Sequence, residues 1–301
     1  MDRRGLVMGG SSLAALLLVG CGALHAAATQ SAFSSARISV IVRGTGPNVV
    51  LIPGMTSHRD VWNETVAALE GRYRFHLVQV NGFAGFPAGG NAEGQVAAPV
   101  AEEIARYIAQ AQLRPPAIIG HSMGGAIAMM LAARHPETIS RLMVVDMLPF
   151  MGAMFGPPGT TSESIRPTAD QLRAITQSAP AGQLSPTTEQ MIASMTRSDA
   201  ARPMLLRHAR ESDSHVVGNA FHELIVTDLR PELAHINAPT TVLYVYPPGA
   251  PISAEQMDAF YVAAFANLTT ARLTKVPESN HFIMIDQPAR FQAEIAEFMA
   301  R

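Results

Sequence analysis

Short apolar runs alternate with amphipathic stretches along most of this chain. Seven runs have the length of strands and end in glycine, proline or polar residues. They lie at residues 37–42, 48–52, 74–80, 117–119, 141–146, 240–246 and 271–276. Apolar positions with helical spacing predict helices near residues 59–69, 95–111, 124–134, 254–265 and 288–299. This alternation indicates an α/β fold, with a mostly parallel central sheet that is flanked by helices.

The most distinctive short motif is Gly-His-Ser-Met-Gly at residues 120–124. A predicted strand precedes it and a predicted helix follows it, which is the context that separates a nucleophile elbow from a chance Gly-Ser turn. In such an elbow a strained turn holds the serine above the edge of the sheet, and the glycines avoid clashes with neighbouring backbone. The motif therefore predicts Ser122 as a nucleophile at the N-terminus of a helix.

Two other segments could supply the groups that such a serine needs. His281 lies in a loop before the C-terminal helix, and the order of serine first and histidine last is the one in which this elbow finds its general base. A histidine in an ordinary surface loop is the alternative. Pro53-Gly54 ends a strand, and the following N–H, that of Met55, could join the N–H of Met123 in an oxyanion hole. An ordinary Pro-Gly turn would look the same.

These segments together resemble the α/β-hydrolase-fold serine hydrolases. The resemblance rests on Ile52-Pro53-Gly54 with Trp62 downstream, residues 81–85, residues 120–125, and Asn280-His281-Phe282 followed by Asp286-Gln287-Pro288. It extends from about Ala36 to the end of the chain. It implies an α/β-hydrolase fold and an acyl-enzyme formed on Ser122, with no organic or metal cofactor.

The resemblance also implies a helical cap inserted into the α/β core. Residues 147–237 break the alternation of strands and helices, which leaves residues 29–146 and 238–301 as the core. The first cap residues, 147–155, are rich in Met and Phe. They would suit an adaptable apolar pocket for an acyl or alcohol group, and they would equally suit packing between cap and core.

The acid of the expected catalytic triad is missing from its usual place. Family members carry a carboxylate just after the strand that follows the cap, but residues 247–253 contain neither Asp nor Glu. Asp146 ends the strand after the nucleophile helix, a position that some α/β hydrolases use, and could accept the Nδ1–H of His281. The alternatives are Glu255, Asp258 and a Ser–His dyad assisted by water. Asp146 could also only cap the start of the cap domain.

The function that the resemblance implies is a carboxylesterase whose partner is a small or medium apolar ester. Amidase, lactonase and cofactor-free haloperoxidase-like activities use the same groups and stay open as alternatives. A non-hydrolytic binding protein with a capped pocket belongs to a different class. The presence of Ser122 and His281 disfavours that class, whereas the missing acid in the loop 247–253 favours it.

Residues 1–28 are typical of an export signal. Arg3 and Arg4 precede an apolar run, 13–19, that is too short to span a bilayer comfortably. Leu18-Val19-Gly20-Cys21 matches a bacterial lipobox, so that a lipidated Cys21, the only cysteine, could attach the protein to a membrane. Cleavage by a signal peptidase after residue 28 is the alternative. Both readings predict export, to the periplasm or as a membrane-anchored lipoprotein of a bacterium.

Composition excludes some classes of protein. The chain has 301 residues, 48% of them hydrophobic, and a formal net charge of −2. It can therefore bury a large core, and it has no basic stripe that would indicate a nucleic-acid partner. His208, His215 and His222 recur at a fixed spacing, but Gly218 and the polar residues 211–214 argue against one helix through them. The sequence predicts no metal site.

Overall fold

One sheet of seven strands has the order β1-β3-β2-β4-β5-β6-β7. The strands are β1 Ile38–Gly44, β2 Asn48–Ile52, β3 Arg74–Val80, β4 Ala117–His121, β5 Arg141–Val145, β6 Thr240–Tyr246 and β7 Ala271–Pro277. Only the β1–β3 pair of this sheet is antiparallel. The computed structural model describes residues 33–250 and 252–301, so the predicted signal segment 1–28 with Cys21 lies outside the described residues.

Helices connect the strands and cover both faces of the sheet. They are α1 Asn63–Leu69, α2 Ala97–Gln110, α3 Met123–Arg134, α4 Ser162–Gln177, α5 Pro186–Ser194, α6 Arg202–Arg210, α7 Ser214–Val226, α8 Ala254–Ala264, α9 Ile283–Asp286 and α10 Pro288–Ala300. The helix predicted near residues 59–69 is divided, because Arg59–Trp62 forms a separate 3₁₀ turn. Within the described part of the chain, none of the helices combines the length and apolarity that a membrane crossing requires.

The core lies on both faces of the sheet, and β2 shows why. Val50 and Ile52 pack into one hydrophobic cluster, whereas Val49 and Leu51 pack into the other. Successive side chains of a strand point to opposite faces, so a strand that is covered on both sides must be apolar at every position. This is the α/β arrangement that the alternating sequence pattern predicted.

The residues between β5 and β6 form a helical insertion, which we call the cap. It contains α4 to α7, and α4 packs against α7. Of the apolar residues at its start, Met147 and Leu148 join the main core, whereas Phe150 packs inside the cap itself. Met154 is 65% exposed. The first two residues therefore serve packing between cap and core, one of the two roles considered from sequence.

A buried carboxylate of the cap forms hydrogen bonds with the core. Glu223 on α7 is buried, and its two oxygens accept the N–H groups of Val96, Ala97 and Ala98 at 2.6, 2.7 and 2.8 Å. These N–H groups lie at the start of α2, where they have no partner within the helix. A negative charge at this end also interacts favourably with the helix dipole. Glu223 therefore holds α7 against α2.

Candidate active site

The turn between β4 and α3 has the strained geometry of a nucleophile elbow. Ser122 has φ 53° and ψ −124°, a conformation that non-glycine residues adopt rarely. Its N–H donates to the carbonyl of Val145 at 2.9 Å, which ties the turn to β5. A Cβ at Gly120 would collide with the carbonyl of Gly124, and a Cβ at Gly124 would collide with that of Ile52. Steric exclusion thus explains both glycines of the motif.

His281 and Asp146 meet beside this elbow. His281 lies in the loop between β7 and α9, and its Nδ1 is 2.6 Å from Oδ2 of Asp146. Asp146 directly follows β5, the neighbour of β4, and has φ 50°. Its side chain is 10% exposed, whereas that of His281 is 24% exposed. The contact expected from the sequence is therefore present, with the carboxylate shielded and the imidazole accessible.

The second oxygen of Asp146 is also held in place. Oδ1 accepts the N–H of Val245 at 3.2 Å and the hydroxyl of Tyr261 at 3.3 Å. Burial, followed by the nearby charge of Asp146, raises the pKa of Tyr261 well above its usual value. Tyr261 therefore stays neutral and acts as a donor. No local sequence pattern indicates this role for Tyr261, because the contact joins α8 to the end of β5.

The two other candidate acids have different partners. Both lie on α8, where Glu255 accepts the hydroxyl of Ser253 at 2.8 Å. Asp258 accepts the hydroxyl of Tyr244 at 2.7 Å and forms an ion pair with Lys275 at 2.8 Å. Lys275 and Tyr244 lower the pKa of Asp258 against the smaller, opposing effect of desolvation. Neither acid takes the position beside His281 that Asp146 occupies.

The loop after β2 lies directly against the elbow. A Cβ at Gly54 would be 3.1 Å from Cβ of Ser122, a tighter contact than most side chains make, so glycine at this position favours the close approach of the loop to the serine. Met55 is the next residue of the loop. Met123 is the first residue of α3, and the first N–H groups of a helix have no partner within it. The two expected oxyanion donors therefore come from segments that converge on Ser122.

Asp286 fixes the loop that carries His281. One of its oxygens accepts the N–H of Asn280 at 2.8 Å. The other oxygen accepts the hydroxyl of Thr196 at 2.6 Å and the N–H of Arg197 at 2.9 Å, and both of these residues belong to the cap. A single carboxylate thus joins the histidine loop to the cap. Asp286 belongs to the sequence motif, but its two partners in the cap are distant along the chain and the motif alone did not identify them.

Three side chains at the boundary of cap and core could be considered as metal ligands. One ligand atom from each of His58, Asp60 and His208 lies within 4.8 Å of the others. However, Nδ1 of His58 accepts the N–H of Asp60 at 3.1 Å, and Nδ1 of His208 faces the N–H of His58 at 3.4 Å. Nε2 of His208 also lies 3.4 Å from Oδ1 of Asp60. These contacts hold the three side chains together between cap and core.

Comparisons with known proteins show which family this chain is similar to. The model of a family described as the alpha/beta hydrolase family matches residues 49–294. A pimeloyl-[acyl-carrier protein] methyl ester esterase of Vibrio cholerae is 27% identical over 266 residues, covering 86% of this chain and 97% of that protein. The protein of the same name from Edwardsiella ictaluri is 30% identical over 263 residues, covering 83% of this chain and 92% of the relative.

Solved structures support the same fold. The crystal structure of a hydrolase from Pseudomonas aeruginosa PA01 has a TM-score of 0.72 and 19% identity, and the match covers 88% of this chain and 94% of that chain. At this identity the likeness concerns the fold alone. The family match spans most of the chain and includes the elbow, Asp146 and His281. This chain therefore belongs to the alpha/beta hydrolase family, as its resemblance in sequence implied.

Proposed function

We propose that this protein is a serine hydrolase that cleaves carboxylic esters. Ser122 is the nucleophile, His281 is the general base, and Asp146 is the carboxylate that supports His281. The observation that carries this proposal is the 2.6 Å contact between His281 Nδ1 and Asp146, next to a serine with elbow geometry. The esterase names of the relatives support an ester as the substrate.

The mechanism follows from the positions of these groups. The Oγ of Ser122 attacks the ester carbonyl carbon while Nε2 of His281 accepts the hydroxyl proton. Asp146 accepts the Nδ1–H of His281, fixes its tautomer and stabilises the imidazolium that forms. The N–H groups of Met55 and Met123 bind the developing oxyanion.

The second half of the reaction repeats these steps with water. Collapse of the tetrahedral intermediate breaks the bond to the alcohol, which takes the proton from His281 and leaves an acyl group on Ser122. His281 then removes a proton from water, which attacks the acyl carbon. The bond to Ser122 breaks, Oγ takes the proton back from His281, and the carboxylic acid is released. The chemistry requires no cofactor.

We propose small or medium apolar esters as substrates, because the cap is joined to the core through Glu223 and Asp286, and a fixed cap restricts the space for a long acyl chain. A series of p-nitrophenyl esters tests this proposal. The value of kcat/KM should be highest for butyrate or hexanoate and about tenfold lower for palmitate, which must fit its whole chain beside the cap. Matching methyl esters belong in the series, since the relatives are named as methyl ester esterases.

Three results would contradict the proposal. A steady increase in kcat/KM up to palmitate would indicate an open site for long chains. Hydrolysis of amides or lactones in preference to every ester would favour an amidase or lactonase that uses the same groups. A folded protein that binds esters without hydrolysing any of them would favour the binding-protein alternative.

Tyr261 should influence the reaction through Asp146. Tyr261→Phe removes the donor to Oδ1 but leaves the N–H of Val245 in place. We expect kcat to fall about three- to tenfold with KM nearly unchanged, because one hydrogen bond to a charged group contributes about 1.5 kcal/mol. Tyr244→Phe is the matched control, since that ring stacks on Tyr261 but its hydroxyl donates to Asp258. Equal losses in both variants would exclude a specific effect on Asp146.

We further propose that the protein is exported, with Cys21 lipidated. The support is the charged start, the short apolar run and the lipobox-like residues 18–21. Expressed in a Gram-negative host, the full chain should fractionate with membranes, whereas Cys21→Ser should be soluble or uncleaved. A wild-type protein that is wholly soluble and begins at Thr29 would favour cleavage by a signal peptidase instead.

A further inference from the structure

The side chain of His121 connects three loops of the active site. It directly precedes Ser122 in the elbow, and its Nε2 lies 2.9 Å from the backbone carbonyl oxygen of His281. The two imidazole rings are 4.6 Å apart between centroids. On the other side, a Cβ at Gly54 would lie 3.1 Å from Nδ1 of His121. One buried ring therefore touches the nucleophile elbow, the base loop and the loop of Met55.

The protonation of His121 follows from these contacts. The carbonyl of His281 can only accept, so Nε2 of His121 carries the proton and donates it. Nδ1 is buried and has no hydrogen-bond partner among the described residues. Burial, followed by repulsion from His281, lowers the pKa of His121 well below its usual value, although the bond to the His281 carbonyl acts in the opposite direction. His121 is therefore a neutral donor.

The surroundings of the ring would suit an apolar side chain. Trp62 meets it edge-on at 6.4 Å, and the ring of Phe282 lies 4.7 Å away. A buried ring nitrogen without a partner costs free energy, which an apolar side chain would avoid. Among the described residues, the side chain of His121 has one hydrogen bond, to the His281 carbonyl. That bond is the property which distinguishes His121 from an apolar residue.

We propose that His121 is a positioning residue for the base: its Nε2–H holds the His281 backbone so that the imidazole stays aligned between Asp146 and Ser122. This inference rests on the proposed function. Asp286 holds the preceding residue, Asn280, and Asp146 holds Nδ1 of the ring itself. The bond from His121 is the contact that ties the His281 backbone directly to the elbow, so it sets the distance between base and nucleophile.

The test compares two substitutions in the full chain. His121→Phe keeps an aromatic ring and removes the donor, whereas His121→Gln places an amide N–H near the position of Nε2. We expect His121→Phe to lower kcat about 10- to 100-fold with little change in KM, because small misplacements of a reacting group have effects of this size. His121→Gln should stay within about threefold of wild type. The kcat values are taken per active site titrated with a fluorophosphonate, so that unfolded protein does not contribute.

His76→Phe is the matched control for exchanging a buried histidine. His76 is also buried, but its ring nitrogens bond to Tyr107 and Asn48, away from the site. His76→Phe should lower the melting temperature, because both bonds are lost, and should leave kcat unchanged. Two outcomes would overturn the inference: a wild-type kcat in His121→Phe, or an equal loss of kcat in His121→Phe and His121→Gln. Absence of labelling and turnover in the wild type would instead overturn the proposed function.

Discussion

Replacement of Ser122 by alanine should lower ester turnover by about 10⁴-fold or more and leave the fold intact. Ser122 is held on a strained turn by contacts of its backbone, and these do not involve its hydroxyl. Alanine fits the same position, so the loss is one of chemistry and not of structure. The measurement is kcat for a p-nitrophenyl ester, accompanied by circular dichroism and thermal unfolding.

His281→Ala should reduce kcat about as much as Ser122→Ala does. The base acts only through the serine or water that it deprotonates, so the two groups work as a unit and the double variant should lose little more. Losses that multiply in the double variant would show that His281 has a separate role. A folded Ser122→Ala protein with near-normal turnover would exclude the serine mechanism.

Asp146→Asn should lower kcat by about 10²- to 10⁴-fold with the fold retained. An asparagine can still accept the N–H of Val245 through its oxygen, so the local structure should persist. It carries no charge to stabilise the imidazolium, and its amide can donate to Nδ1 and favour the wrong tautomer of His281. The measurement is kcat over a range of pH, accompanied by thermal unfolding to check that the fold is retained.

The other two acids provide matched controls for this prediction. Asp258→Asn and Glu255→Gln change carboxylates on α8 that bond to Tyr244, Lys275 and Ser253 instead of His281. Both should cost less than about threefold in kcat. If either control loses more activity than Asp146→Asn, the assignment of the acid is wrong, while the pair of Ser122 and His281 is unaffected.

The parts of the fold that depend on local pattern were predictable from sequence. The seven strands lie where the apolar runs predicted them, within a few residues at each end. The elbow was equally predictable. A Cβ at Gly120 or Gly124 would collide with backbone atoms, so both positions need glycine, and this requirement makes the motif recognisable in the sequence alone. The 3₁₀ turn Arg59–Trp62 is an exception, since helical spacing does not separate it from α1.

The choice among carboxylates needed the three-dimensional structure. Asp146, Glu255 and Asp258 have similar chemistry, and only the packing of α8 beside β6 decides which of them meets His281. The contacts of Glu223 and Tyr261 were missed for the same reason. Each joins residues more than a hundred positions apart, and no local pattern records such a pairing.

We propose Ser122 as the nucleophile of a serine–histidine pair that is supported by the charge of Asp146. Reaction with a fluorophosphonate, followed by intact and peptide mass spectrometry, tests this role, because the reagent requires an activated serine and an oxyanion hole. We predict one adduct per chain on the peptide that carries Ser122, no adduct in Ser122→Ala, and slow labelling in His281→Ala and Asp146→Asn. An active enzyme that is not labelled, or that carries the adduct on a residue other than Ser122, would show that Ser122 is not the nucleophile.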